Sequence, residues 1–233
     1  MKTHLALNQA LDLRSQIRRG RAWGRLGLAL LVVLSGALAG AGELKTVVLP
    51  PPPTTGGKPL MEALRQRRTV RDVKPDKLPL PVLGNLLWAA FGVNRPATGG
   101  RTAPSAMNSQ EVDLYVALPE GLYLYEPKEH LLKPVLSGDV RGKTSGQPFA
   151  TNAPVTLVFV ADHARLSKAA PERRAFYADV DTGYISQNVY LYCASEGLAT
   201  VVHDLDRAPL LAVLGLRPEQ RIVLAQAVGY PKD

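Results

Sequence analysis

Only one cysteine, Cys193, occurs in the 233 residues. An intramolecular disulfide and a cysteine-based metal site are therefore both excluded. Histidine is scarce as well, at four residues. His4 falls in the N-terminal segment. His130 and His163 have no acidic or cysteine neighbour at ligand spacing, so they read as surface side chains and no metal centre is expected. There is no Gly-x-Ser-x-Gly motif, and Asp179 and Asp181 form no obvious acid–base pair. No Gly-x-Gly-x-x-Gly follows a strand pattern, which argues against a dinucleotide-binding Rossmann domain. Internal repeats are absent. Cys193 lies mid-helix on an apolar face and reads as a packed core residue rather than a nucleophile.

Apolar residues make up 46% of the chain, enough for a real core. The net charge of +8 is unevenly placed. Lys2, Arg14, Arg18, Arg19, Arg21 and Arg25 face Asp12 alone within residues 1–39, so five of the eight excess charges sit there. The remaining mild excess is no focused basic face of the kind that nucleic acid requires.

Residues 26–42 read LGLALLVVLSGALAGAG, uncharged, after a basic segment and with the small-x-small site Ala37-Leu38-Ala39. Residues 1–39 therefore read as a secretory signal peptide. The alternative is a retained membrane anchor, for which this Gly- and Ala-rich stretch is short. Arg18-Arg19 is followed by Gly20-Arg21 rather than an apolar residue, and reads as an ordinary positive n-region. The expected location is the bacterial periplasm, with membrane anchoring facing that compartment as the alternative. Residues 40–57 hold Pro50 to Pro53 and Gly56-Gly57, a polyproline II spacer released by glycines. They read as a tether to a domain over residues 58–233.

Within that domain the spacing predicts a helix from Pro59, with Leu60, Ala63, Leu64 and Arg67 on one side, and a second from Leu80 to Phe91. Val112, Leu114, Val116 and Leu118 alternate with Asp113 and Tyr115, the pattern of a strand. Leu122 to Tyr125 returns antiparallel, and His130 to Val135 adds a third strand. Val155 to Val160 is an unbroken apolar run, as in a central strand buried on both faces. A long helix follows from about Pro171 to Glu196, capped by Gly197. A shorter helix over about 207–214 and a last strand, Ile222 to Val228, complete the pattern.

Two segments could carry chemistry. Arg67-Arg68-Thr69-Val70-Arg71 lies at or past the end of the first helix, where guanidinium groups can hold a phosphate by charge-assisted bonds. Taken alone it is equally a solvated basic helix end. Thr102 to Gln110 is a small, polar loop entering a strand, suited to a planar ring rich in acceptors.

Together, in this order and about 35 residues apart, the two segments resemble the nitroreductase family. Its members end their first helix in Arg-Arg/His-Ser/Thr-x-Arg/Lys and carry a Pro-Ser-x-x-Asn-Ser/x-Gln loop. The helix ending Glu196-Gly197-Leu198 before Thr200-Val201-Val202, and the final Ala227-Val228-Gly229-Tyr230-Pro231, also fit. The resemblance runs from about residue 58 to 231 and looks nearest the branch containing the SagB/ThcOx-type dehydrogenases.

The resemblance implies an α+β, three-layer fold with a mostly antiparallel central sheet flanked by helices. It also implies a homodimer with FMN at its interface. Carried over by position, Arg67, Thr69 and Arg71 would bind the phosphate, ribityl chain and pyrimidine edge, and Arg68 would offer its backbone. Ser105 and Asn108 would reach the flavin of the partner subunit, and Gln147 would contact the ring. Val201, Val202 and His203 would turn backbone N–H groups to the flavin N5 edge, and Lys232 would serve as a basic tail residue. Two departures stand out: His203-Asp204 replaces the usual Glu-Gly or Arg-Gly, and little basic sequence follows the last strand.

The implied activity is an exported FMN-dependent oxidoreductase. It would pass hydride or electrons to or from a small planar substrate, quinone- or nitroaromatic-like, in ping-pong turnover. The flavin does the chemistry, and His203 is the one side chain placed for proton transfer. Cytoplasmic relatives take electrons from NAD(P)H, which is scarce after export, so a quinol, a partner protein or the substrate itself are open as donors. The alternative is a non-catalytic module binding flavin or another planar ligand.

Overall fold

Alternating apolar residues build a seven-stranded antiparallel sheet in the computed structural model, which describes residues 43–232. The leader read over residues 1–39 lies outside the described residues. The strands are β1 (Val47–Val48), β4 (Val112–Leu118), β5 (Gly121–Glu126), β6 (Leu131–Ser137), β7 (Val155–Asp162), β8 (Ala199–His203) and β9 (Gln220–Gly229). A separate hairpin pairs β2 (Val93–Arg95) with β3 (Gly100–Arg101). Across the large sheet the order is β1-β6-β5-β4-β7-β9-β8.

The helices are α1 (Leu60–Gln66), α2 (Leu80–Phe91), α3 (Pro148–Asn152), α4 (Pro171–Glu196) and α5 (Ala208–Leu214). Period-two patterning assigns the sheet faces. Val112, Leu114, Val116 and Leu118 join Leu86 and Leu87 of α2 and Ile185 and Val189 of α4 in the main core. Tyr115 and Ala117 face the other way, into a smaller core with Leu205 and with Leu210 of α5. The result is three layers. β7, buried at all eight residues, lies between β4 and β9 near the centre of the sheet. α4 ends at Gly197, whose φ of 72° is the left-handed conformation that glycine adopts without penalty.

Three expectations change. Residues 40–57 are not a free tether: Val47–Val48 pairs with β6, Leu49 is buried, and the Leu49 N–H donates to the His130 carbonyl at 3.1 Å. The short apolar run ahead of the prolines supplies an edge strand to a sheet that would otherwise end at β6. His130 is accordingly no surface residue. Its Nε2–H donates to the Pro50 carbonyl at 3.0 Å, and its Nδ1 accepts from the Tyr125 hydroxyl at 2.9 Å. A carbonyl only accepts, which fixes this tautomer. Lastly, α1 buries Ala63 alone, leaving Leu60, Met61 and Leu64 exposed as an apolar strip on its outer side.

β8, α3 and the β2–β3 hairpin have no counterpart among the expected elements. Residues 199–203 lie outside any expected strand, yet they pair with β9 from Ala199 opposite Gly229 to His203 opposite Ala225.

Candidate functional site

The Arg67–Arg71 segment leaves α1 in extended backbone, Arg67 itself closing the helix through a bond to the Ala63 carbonyl. Extended chain can add to an open sheet edge, and β8 offers one. The Val70 N–H donates to the Thr200 carbonyl at 3.0 Å. Further on, Val73 bridges Pro231, Lys74 N–H donates to the Tyr230 carbonyl, and Lys232 N–H donates to the Asp72 carbonyl at 2.9 Å. The arginine segment is thereby held beside β8, and the Lys232 backbone is brought next to its C-terminal end.

Tyr190 of α4, almost fully buried, ties this assembly together. Its phenolic oxygen accepts the Val202 N–H at 3.0 Å and lies 3.1 Å from Thr69 Oγ1. The Arg67 guanidinium carbon stands 5.3 Å from the centre of the same ring, within cation–π range. Beneath β8 runs a buried polar chain. Ser186 Oγ donates to Gln226 Oε1 at 2.9 Å, Gln226 Nε2 donates to Thr200 Oγ1 at 3.1 Å, and Thr200 Oγ1 donates to the Ala227 carbonyl at 2.8 Å. Every one of these groups is satisfied, so the edge strand is fixed from both sides.

A cleft of about 460 Å³ opens between α1, the end of α4 and the tail, with Arg65, Arg67, Arg68 and Lys58 on its walls. Lys58 Nζ donates to Gln66 Oε1 and to the Ala194 carbonyl. None of Arg65, Arg67, Arg68 and Arg71 is ion-paired with a carboxylate among the described residues. Four unneutralised guanidinium groups within seven residues form an anion-binding surface, suited to phosphate oxygens in the forked geometry of arginine. Thr69 and Arg71 are exposed beside the cleft.

The three backbone N–H groups expected at a flavin edge are engaged otherwise. Val202 N–H goes to Tyr190. In an antiparallel ladder the outward groups alternate with inward ones, so with Thr200 and Val202 facing out, Val201 and His203 turn theirs toward β9. The reason is the strand that the sequence pattern did not reveal.

The His203 side chain is buried, with its ring 5.3 Å from that of Phe149 on α3 in an edge-on arrangement. Its Nδ1–H donates to the Asp204 carbonyl at 3.1 Å, leaving Nε2 as a lone pair with no partner among the described residues. Burial lowers its pKa, against a smaller rise from the Asp204 carbonyl. This is a neutral imidazole held as an acceptor, neither pointing to solvent nor protonated at neutral pH. Gln147, exposed, precedes α3, which separates it from β7; its N–H donates to Ser145 Oγ at 3.1 Å. Phe149 packs with Val70, Val73, Val201 and Ala153, so Gln147, β8 and the arginine segment gather at one corner of the sheet.

Ser105 and Asn108 lie elsewhere. Their loop includes a 3₁₀ turn over Ala106–Asn108 and is moored to α4 by the Ala106 N–H, which donates to Asp181 Oδ2 at 2.7 Å. Asp181 is nine residues before Tyr190, or roughly 13 Å along the helix axis. One chain therefore keeps this loop apart from the arginine segment. Ser105 Oγ accepts the Gln110 N–H at 2.9 Å, and Asn108 Oδ1 accepts from Gln110 Nε2 at 3.1 Å. Met107, Asn108 and Gln110 all have positive φ, a conformation costly for side chains with Cβ and one that persists where surrounding bonds over-determine it.

Residues 64–230 match the nitroreductase family model. The chain belongs to the nitroreductase family. A curated protein of Methanocaldococcus jannaschii assigned as a nitroreductase is 32% identical over 152 residues, covering 61% of this chain and 76% of that one. A crystal structure assigned as a nitroreductase from Ralstonia eutropha JMP134 is 42% identical with a TM-score of 0.77, covering 81% of this chain and 90% of that one. A nitroreductase structure in complex with FMN from Desulfovibrio desulfuricans shares the fold at 20% identity, with a TM-score of 0.55 and 76% and 89% coverage. The α+β expectation for the nitroreductase fold, with its large antiparallel sheet flanked by helices, holds.

Sequence reasoning missed Tyr190, Lys58 and Arg65 as parts of this nitroreductase-family site. Tyr190 lies mid-helix, away from the segments whose residue types pointed to chemistry. A signal was present: it stands four residues beyond Ser186 and three before Cys193, so it shares their face and brings a polar tip to a buried one.

Proposed function

We propose that this nitroreductase-family chain is an exported FMN-dependent oxidoreductase acting on a small planar substrate of quinone or nitroaromatic type. The observation that carries this reading is the set of four arginines, Arg65, Arg67, Arg68 and Arg71, on and beside one cleft at the end of α1, none ion-paired with a carboxylate among the described residues. Family membership supports the redox chemistry, and the FMN-bound relative supports the cofactor. Arg67, Arg68 and Arg71 fit the phosphate, with Lys232 nearby. Thr69 fits a ribityl or phosphate oxygen, and Gln147 fits the polar edge of the ring. Bound FMN would supply hydride and electron transfer. Donor and acceptor would then use one open face in turn, which is ping-pong turnover. His203, whose Nε2 is buried and whose pKa is lowered by burial, is the side chain to test for a proton-transfer role.

The separation of the Ser105–Asn108 loop from Arg67 within one chain supports a homodimer in which each subunit lends this loop to the other's site. The apolar strip Leu60, Met61 and Leu64 would give α1 a surface to cover. The leader supports export to a periplasm by cleavage after Ala39, with a retained anchor as the alternative. NAD(P)H is scarce there, which favours a quinol or a partner protein as electron donor.

The test is direct. The protein is purified, its visible spectrum recorded with and without added FMN, and the bound flavin reduced with dithionite and reoxidised with a quinone or a nitroaromatic. A yellow protein that loses its flavin on replacing Arg67 and Arg71 by Ala supports the reading. A colourless protein that takes up no FMN overturns it, and one that binds FMN but never reoxidises leaves the non-catalytic module as the function. N-terminal sequencing of the mature protein reads cleavage, and an N-terminus at Met1 would refute it.

A further inference from the structure

Tyr190 touches Arg67 and Thr69, both assigned to the flavin, and the Val202 amide of β8. Its position rests on hydrogen-bond accounting. The Val202 N–H has a single hydrogen, given to the Tyr190 oxygen at 3.0 Å. The phenol keeps its own hydrogen, and Thr69 Oγ1 lies 3.1 Å away, a contact in which either hydroxyl can donate; with the phenol oxygen already accepting from Val202, the pairing that uses every hydrogen runs from Tyr190 to Thr69. A hydroxyl that already accepts has its remaining hydrogen free for an outside acceptor. The direction of the chain is therefore set from β8 outward: amide to phenol, phenol to threonine, threonine to ligand. Thr69 is itself exposed, so its hydrogen reaches the surface where the unpaired arginines stand.

On this basis, and resting on the flavin reading above, we propose that Tyr190 is a positioning residue that orients Thr69 as an obligatory donor to an acceptor oxygen of the bound cofactor, on its phosphate or ribityl chain. Tyr190 does not touch the ligand. Its hydroxyl fixes which way the Thr69 hydrogen points, and its ring holds Arg67 from below. Hydrogen bonds polarise one another along such a chain, so the terminal donor is stronger than an isolated threonine hydroxyl. A ligand oxygen with a lone pair meets a hydrogen already aimed at it. The device therefore selects for acceptor-rich, anionic ligands in addition to the arginines' attraction.

The test is FMN affinity, read by flavin fluorescence and by the flavin visible spectrum, on the full-length protein in mild detergent. The proteins compared are wild type, Tyr190→Phe, Thr69→Val, Thr69→Ser and the Tyr190→Phe/Thr69→Val pair. Phe keeps the ring under Arg67 and removes only the hydroxyl. Loss of one hydrogen bond to a charged acceptor predicts about tenfold weaker binding for Tyr190→Phe and for Thr69→Val. The double variant should be no weaker than Thr69→Val within about threefold, because the two act through one bond. Thr69→Ser keeps the hydroxyl and should return affinity to within about threefold of wild type. A merely structural Tyr190 would instead give losses that multiply, and that outcome overturns the proposal. So does a Tyr190→Phe protein that binds FMN as wild type does. Should Tyr190→Phe fail to fold, Thr69→Val against Thr69→Ser decides on an exposed residue: equal affinities overturn the assigned donor. If no protein in the series, wild type included, binds FMN, the flavin reading itself has failed and this inference falls with it.

Discussion

The Asp181 carboxylate accepts the Ala106 N–H at 2.7 Å, and this bond fastens the strained 105–110 loop to the long helix. Asp181 is also the acidic neighbour of Glu111, the residue that follows the loop. Glu111 has no exposed surface, and its carboxyl oxygens have no hydrogen-bond partner among the described residues. The loop expected to meet a flavin is therefore bracketed by two buried carboxyl groups.

A pH dependence of stability follows. Burial is the main cause that lifts the Glu111 carboxyl from its ordinary range to about 7, with Asp181 adding to the rise and Arg165 opposing it. Between about 4.5 and about 7 the folded protein holds a proton that the unfolded chain has released. The Glu111 contribution to stability falls as pH climbs through that window and levels off above it. His130, His163 and His203, all lowered by burial, work the other way and cost stability as pH drops below their ordinary range. The quantity to measure is therefore the difference between wild type and Glu111→Gln in urea unfolding from pH 4.5 to 8.5. The variant should gain on the wild type from about pH 4.5 to about 7 and hold that gain above it. A difference that does not change with pH would mean that Glu111 is ionised in the folded state.

The docked N-terminal segment yields a second expectation. Leu49 is buried beneath an edge strand of two residues and packs in the main core. Removing a buried leucine side chain to Ala costs roughly 2–5 kcal/mol where the site cannot collapse, and the sheet edge favours the lower half of that range. Leu49→Ala should lower the urea midpoint accordingly, whereas Thr54→Ala, in the exposed stretch beyond the prolines, should leave it unmoved. A tether would make both silent.

This segment also shows where the sequence was legible and where it was not. α2 and α4 were readable to the residue because each has an apolar stripe at helical spacing and a stop signal: Phe91 before Gly92, and Glu196 before Gly197. β4 and β7 were readable because alternation and unbroken burial are local patterns. β1 and β8 were not. Val47–Val48 is too short to show a period, and Ala199–His203 reads ATVVH, without a regular alternation of apolar and polar residues. Both are strands only because another strand, β6 or β9, presents an open edge. The arginine segment was found by its residue types. Tyr190 was not, because its role depends on a hydroxyl meeting an amide twelve residues away and a threonine from another helix's end.

Gly229 tests how tightly the tail is packed. A Cβ there would lie 2.7 Å from Cδ of Pro154 and 3.3 Å from the Lys74 carbonyl oxygen. The proline ring is rigid and the carbonyl is backbone, so neither can step aside cheaply. Gly229→Ala should cost about 1–3 kcal/mol as overpacking. It should also speed hydrogen exchange at the Lys74 and Lys232 amides, whose acceptors belong to the strip that would be pushed apart. An unchanged midpoint and unchanged exchange would show that the tail gives way freely.

The buried Ser186–Gln226–Thr200 chain gives the most discriminating expectation, because its members fail differently. Gln226→Leu takes away the acceptor of the Ser186 hydroxyl and a donor to Thr200, but Thr200 still donates to the Ala227 carbonyl. One donor, Ser186, is left unpaired, at a cost of about 1–3 kcal/mol on top of any misfit of the leucine. Ser186→Ala alone strands the Gln226 carbonyl oxygen at a similar cost. The double variant strands neither group, since the serine hydroxyl and the glutamine leave together. Its loss of stability should therefore be clearly smaller than the sum of the two single losses, by about 1 kcal/mol or more. Urea unfolding of the four proteins gives the coupling. Strict additivity would mean that water reaches this layer in the single variants. In that case the floor beneath β8 would be softer than its full burial implies, and it would hold the Tyr190 edge less firmly.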